Sequence, residues 1–167
     1  MKIRKATSKD LEEIDKIYVD GSIDEGKLQF PKVSKNEMIK DLERYRKNRL
    51  KGFKEKLLSN KNYWVVAIER DKIIGFGQAE IKNYEDDSNY GEVEKVYIKK
   101  EFRKKGIARI LVKELIGWLK KEGTKAIGAR VYSGNNPLIR FFGKMGFKIR
   151  AVFIELYSLR SIKALCN

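Results

Sequence analysis

The chain has 167 residues, 42% of them hydrophobic, enough for one domain with a real core and too few for two ordinary ones. No apolar run approaches the ~20 residues that span a bilayer, Met1 to Asp20 lacks the apolar segment of a signal peptide, and a cytoplasmic protein is expected. A net charge of +15 would attract nucleic acid, anionic lipid or an acidic substrate without choosing among them, while the single Cys166 and the absence of histidine exclude an internal disulfide and a Cys/His zinc site; no metal is expected.

Lys2 to Lys5 reads as a short first strand, and Thr7 with Asp10 makes a capping arrangement for a helix carrying Leu11, Ile14, Ile17 and Tyr18. Gly21 is expected to close it. After an irregular piece ending near Pro31, Ser34 and Glu37 form a clearer capping box, and Met38, Leu42, Tyr45, Phe53 and Leu57 mark one apolar face of a second helical region, expected to bend at Gly52. Its other face carries Lys40, Arg44, Arg46, Lys47, Arg49, Lys51, Lys54 and Lys56. Such a face is ordinarily solvated, and a binding role is the alternative.

Tyr63 to Glu69 and Ile73 to Ile81 are strand-like runs separated by Arg70, Asp71 and Lys72, which predicts an antiparallel hairpin. Asn83 to Asn89 is a polar loop into a third strand from Tyr90, completing a meander. Within that strand Glu92, Glu94, Val96 and Ile98 alternate with Val93, Lys95 and Tyr97. It should end near Lys99, because Ile107, Ile110, Leu111, Leu115, Trp118 and Leu119 then recur at helical spacing, from about Gly106 to Glu122 with Gly123 as the stop.

The junction between that strand and helix organises the chain. A helix N-terminus leaves its first amides unpaired and carries the positive end of the helix dipole, so a turn that aims them outward is an anion site. Gly106 keeps side-chain bulk out of the approach, and Arg103, Lys104, Lys105, Arg109 and Lys113 add full charges suited to several phosphates, a pyrophosphate being the natural guess. A plain basic surface turn is the alternative.

Lys125 to Val131 reads as another strand, parallel to the third because a helix connects them. Asn136 and Pro137 are expected to cap a short helix with Leu138, Ile139, Phe142 and Met145 on its apolar side, ended by Gly146. Phe147 to Leu159 alternates like a strand without a Gly or Pro to divide it. One bent strand, two with a tight turn, or completion by a second chain in a homodimer all remain open.

The stretch from Glu92 to Arg109, with R-x-x-G-x-A at Arg103, Gly106 and Ala108, resembles the acetyl-CoA-binding motif of the GNAT superfamily of N-acetyltransferases. The run N-x-x-L-x-x-F-F-G-K-M-G-F from Asn135 resembles the family's second cofactor motif. The resemblance implies an α/β GNAT fold over the whole chain: a mixed central sheet with an antiparallel N-terminal meander and a splayed parallel strand pair, and helices on both faces. It implies that the backbone of Val96, Tyr97 and Ile98 bonds the pantetheine arm, and that the turn through Gly106, Ile107, Ala108 and Arg109 holds the pyrophosphate. Asn135 and Phe142 would flank the coenzyme. Phe142 stands where many relatives carry a tyrosine that protonates the departing thiolate, and phenylalanine cannot donate. Tyr97, Tyr132 and Tyr157 are replacements by residue type, Tyr132 preferred.

Attack of a neutral amine on a thioester needs donors for an oxyanion, for which a backbone N–H near Val96 or Tyr97 serves, and a base for the amine proton. Glu92 matches the position of the catalytic glutamate in relatives that have one, with Glu94 as fallback. Two carboxylates on one strand face are expected to repel and raise one pKa toward neutrality. The expected function is acetyl transfer from acetyl-CoA to a primary amine, small or on a protein, with a slight lean to a protein or peptide. The rival is a nucleic-acid- or ribosome-binding module that keeps the fold without catalysis.

Overall fold

Arg70 and Asp71 both adopt positive φ, 49° and 60°, the twist that a two-residue hairpin turn requires. In the computed structural model, which describes residues 1–83 and 89–151, this turn joins β2 (Asn62–Glu69) to β3 (Lys72–Asn83). With β1 (Lys2–Lys5), β4 (Asn89–Ile98) and β5 (Ala126–Gly128) they form one sheet in the order β1-β2-β3-β4-β5. The first three pairings are antiparallel and β4–β5 is parallel, as a meander followed by a helical crossover dictates. Residues 84–88 of the expected polar loop lie outside the described residues.

The chain divides into two compact units, Met1–Arg130 and Val131–Asn167. In the first, helices α1 (Leu11–Gln29), α2 (Lys35–Arg44), α3 (Arg46–Leu58) and α4 (Ile107–Lys121) accompany the sheet. Leu11, Ile14 and Ile17 of α1 and Phe53 of α3 pack with Trp64, Val66 and Phe76 on one sheet face. On the other face α4 buries Leu111, Leu115 and Leu119, and it approaches closely because the strands present glycines: a Cβ on Gly77 would meet Leu115 at 3.0 Å and one on Gly91 would meet Leu119 at 2.8 Å. Helices therefore cover both faces.

The helix boundaries depart from expectation in two places. α1 continues through Gly21 to Gln29, because this glycine makes room for a tyrosine ring rather than ending the helix: its Cβ would fall 2.0 Å from Cδ1 of Tyr97. The second helical region breaks at Tyr45 and not at Gly52, which lies inside α3. Arg49 fastens the corner, its Nη1 donating to the Leu42 carbonyl at 2.6 Å, one of the acceptors that the end of α2 leaves open. The expected capping box is present, with Glu37 N–H donating to Ser34 Oγ at 3.2 Å and Ser34 N–H to Glu37 Oε2 at 3.0 Å.

The basic face of this region is partly consumed internally. Arg46 pairs with Glu12, Arg49 Nε lies 2.6 Å from Asp15 Oδ1, and Lys56 Nζ lies 2.8 Å from Glu80 Oε2. β5 is shorter than Lys125 to Val131, pairing only through Tyr90–Ala126, Gly91–Ile127 and Glu92–Gly128.

In the second unit, α5 (Asn136–Gly143) is capped by Asn135 and not Asn136: Asn135 Oδ1 accepts from Leu138 N–H at 3.2 Å, which moves Pro137 to the second helical position. Phe147 to Ala151 is not a strand, and the rest of the strand region expected up to Leu159 lies outside the described residues, as do Tyr157 and Cys166.

Candidate active site

β4 carries a bulge. Gln78 faces Lys95 and Ala79 faces Val93, so Glu94 is the extra residue and the strict alternation expected along the strand fails there. Val96, opposite Gly77, shares the α4 face, because directly paired residues of antiparallel strands point to the same side. Glu92, opposite Glu80, lies on the α1–α3 face, where Tyr97 packs against Tyr18 and Phe76. Glu92 and Tyr97 thus share a face that an unbroken period of two would have denied them.

The β4–β5 ladder stops at the Glu92–Gly128 pair while β4 runs on to Ile98. From Val93 onward β5 leaves the outer edge of β4, and an extended, amide-containing ligand could add to that edge as a strand does.

Glu92 and Glu94 are held together by cations. Glu92 is only 4% exposed. Lys82 Nζ lies 2.5 Å from Glu92 Oε2 and 2.6 Å from Glu94 Oε1, and Arg130 donates to both Glu92 oxygens at 2.7 and 3.2 Å. Burial alone would push the Glu92 carboxyl up, but the hydrogen bonds from Arg130 and Lys82 outweigh it and the net displacement is downward. Burial opposes ionisation of Glu94 too, and Lys82 with Lys95 again brings it below the ordinary value. The expectation that mutual repulsion lifts one of them toward neutrality is therefore corrected. A shared ammonium turns repulsion into bridging.

Lys82 and Arg130 escaped the sequence reading. Their signal was indirect: the register places Glu80 opposite Glu92, and like charges facing each other across strands need counter-cations nearby.

The turn after β4 has the properties of an anion cradle. Gly106 is the N-cap of α4 with φ 79°, and Lys104 is also left-handed at φ 62°. No atom lies within 4 Å of a Cβ built on Gly106, so backbone conformation, with open space in front of it, explains the glycine. The amides of Arg109 and Ile110 both donate to the Gly106 carbonyl. Among the described residues, the five successive amides of residues 104–108 have no acceptor. Consecutive N–H groups with alternating handedness make a nest for an oxyanion, here at the positive end of a 15-residue helix. Lys104, Arg109 and Lys113 are exposed and pair with no carboxylate among the described residues, whereas the Lys105 ammonium sits 5.0 Å over the Phe102 ring. Five free amides and three uncommitted cations suit a pyrophosphate. Arg103 differs: its side chain bonds the Ile98 carbonyl and Asp24.

Tyr97 donates its hydroxyl to Glu25 at 3.0 Å, and burial together with that carboxylate pushes its pKa well up, so the group is a poor acid. In the second unit Tyr132 is 37% exposed beside the turn at Gly134, Asn135 spends its side-chain oxygen on the α5 cap, and Phe142 is buried with Phe141 and Phe147 at 5.2 and 5.0 Å. Among the described residues no helix is long and apolar enough to cross a membrane, and no group of three or more acidic or cysteine side chains is placed to hold a metal ion.

Residues 28–147 match the model of the acetyltransferase (GNAT) family. The fold is similar to that of a mutant protein from Bacillus halodurans, with 18% identity over 95% of this chain and 100% of the other and a TM-score of 0.77. It is also similar to a Pyrococcus furiosus protein described as an acetyltransferase, with 23% identity over 94% and 99% of the two chains and a TM-score of 0.72. An aminoglycoside N-acetyltransferase solved with CoA shares 18% identity over 95% and 94% at a TM-score of 0.66. With a family model covering most of its length, the chain belongs to the GNAT family of acetyl-CoA-dependent acyltransferases.

Proposed function

We propose that the protein transfers the acetyl group of acetyl-CoA to a primary amine by direct attack, with the donor's pyrophosphate on the amides of residues 104–108. The observation that carries this reading is the run of five acceptor-free amides at the start of α4, beside the edge of β4 that β5 leaves. The pantetheine amides would pair with that edge between Val93 and Ile98. A backbone N–H at Val96 or Tyr97 would meet the oxyanion.

The amine nitrogen bonds to the thioester carbonyl carbon, the tetrahedral intermediate expels the thiolate with cleavage of the C–S bond, and the thiolate takes a proton from solvent. The proton lost by the amine passes through water to Glu92, which its two cations keep ionised. Glu94 shares Lys82 and is the substitute.

The acceptor is proposed to be a small-molecule amine. The likeness to aminoglycoside acetyltransferases supports this over a protein or peptide amine. The rival nucleic-acid reading loses support, since Arg46, Arg49 and Lys56 of the basic helical region are tied to acidic partners.

Calorimetric titration with acetyl-CoA and with S-acetylpantetheine, which lacks the pyrophosphate, tests the assignment. Micromolar binding of the first and at least hundredfold weaker binding of the second are expected. Equal affinities would remove the phosphate role from the turn.

A further inference from the structure

Arg103 belongs to the signature that marks the anion cradle, yet its side chain serves the protein. Its Nε donates to the Ile98 carbonyl at 2.9 Å and its Nη1 to Asp24 Oδ2 at 2.7 Å. The other Asp24 oxygen receives Lys100 Nζ at 3.1 Å. One carboxylate on α1 therefore holds two cations of the turn, and through Arg103 it reaches the last carbonyl of β4.

The turn needs such a brace. Its internal bonds stop at Phe102 N–H to Lys99 O, 2.9 Å, and Arg103 N–H to Lys100 O, 3.2 Å, after which residues 104–108 have none among the described residues. Lys104, moreover, is held in a left-handed conformation that disfavours a residue with a side chain. A segment with free amides and an unfavourable backbone conformation stays in one shape only if something outside it fixes its ends. Gly106 and α4 fix one end, and Arg103 on Ile98 fixes the other.

We propose that Asp24 is a positioning residue for the acyl donor: by holding Arg103 against the Ile98 carbonyl it keeps the amides of residues 104–108 in the arrangement that receives the pyrophosphate. The inference rests on the donor site proposed above. Asp24 precedes residues 28–147, the segment matched to the family.

The proposal runs against the simple field effect, which makes it testable. Asp24→Asn removes a negative charge next to a phosphate site, and by Coulomb attraction alone it should tighten acetyl-CoA binding. If the variant releases Arg103 to bind phosphate directly, binding should tighten further. If Asp24 positions the turn, binding should weaken.

The experiment is calorimetric titration of acetyl-CoA into wild type, Asp24→Asn, Arg103→Lys and the control Asp20→Asn, with steady-state kinetics where an acceptor supports turnover. Asp20 is exposed on the same helix and has no hydrogen-bond or ion-pair partner among the described residues, so its variant reports the change in net charge alone. Asp24→Asn and Arg103→Lys are each expected to raise the acetyl-CoA Kd about tenfold, a change of one decade, with kcat at saturating donor changed less than twofold and the control unchanged. Lysine keeps the charge but lacks the forked donor that bonds carbonyl and carboxylate together, so it should not rescue. Unchanged or tighter binding by Asp24→Asn, or equal weakening by Asp20→Asn, overturns the proposal. A wild type that binds no acetyl-CoA overturns the donor site itself, and the inference with it.

Discussion

The ring of Tyr97 fills the space that a side chain at position 21 would need: a Cβ on Gly21 would lie 2.0, 2.5 and 2.9 Å from three of its carbons. The ring has no easy retreat. It stands edge-on to Tyr18 at 5.6 Å and tilted on Phe76 at 5.7 Å, and its hydroxyl is anchored to Glu25 on the same helix. Because Tyr97 belongs to β4, this contact sets how closely α1 lies over the strand that carries the candidate site.

Gly21→Ala separates helix propensity from packing. Inside a helix, alanine is intrinsically better than glycine by about 1 kcal/mol. Overpacking a fixed ring costs about 1–3 kcal/mol and should win. A net loss of up to about 2 kcal/mol in denaturant unfolding is expected, largely recovered in the double variant with Tyr97→Leu. A stabilised Gly21→Ala protein would mean that the ring yields.

Asp10 ties the start of α1 to β1 and should govern part of the acid stability. The hydrogen bonds from Arg4 at 2.7 and 2.8 Å, with those from Thr7 N–H and Oγ1 at 2.7 and 3.0 Å, overcome burial and bring its pKa to about 2. A carboxyl whose pKa is lower folded than unfolded stabilises the fold above its unfolded value near 3.8, and that contribution is lost as pH falls toward 2. Arg4 is one-third exposed, so screening trims the effect to about 1–2 kcal/mol. Asp10→Asn should be less stable than wild type by that amount at pH 7, with the gap closing between pH 4 and 2. A gap independent of pH would assign the loss to shape rather than charge.

Local chemistry was readable and distant contact was not. The hairpin at Arg70–Asp71, the capping box at Ser34 and the Gly106 turn follow from residues adjacent in sequence, whose backbone preferences act whatever lies around them. Gly21 looked like a helix end because the residue that explains it, Tyr97, comes from another strand. The bulge at Glu94 leaves no mark on the alternating pattern of the sequence, and that single residue decides which side chains share the α1–α3 face. The pKa values of the Glu92–Glu94 pair run opposite to the sequence expectation for the same reason: the two carboxylates are neighbours in sequence, while Lys82 and Arg130 arrive through the sheet.

Those two cations also change what the pH profile should show. With Glu92 held ionised, no carboxylate in the cluster is poised to titrate near neutrality, and the group that must lose a proton there is the acceptor ammonium. In wild type, kcat/KM should rise from pH 6 to 9 with the acceptor's own pKa, and it should move when an amine of different pKa is used. Glu92→Gln keeps the size of the side chain and one of the two acceptors for Arg130, but removes the charge that draws the proton away. Acetyl-CoA affinity should hold within about twofold, turnover should fall on the order of a hundredfold, and the rise with pH should persist with the same midpoint. If the variant instead loses the rise, Glu92 itself titrates near neutrality despite Lys82 and Arg130. If turnover is untouched, the proton goes to Glu94 or directly to solvent.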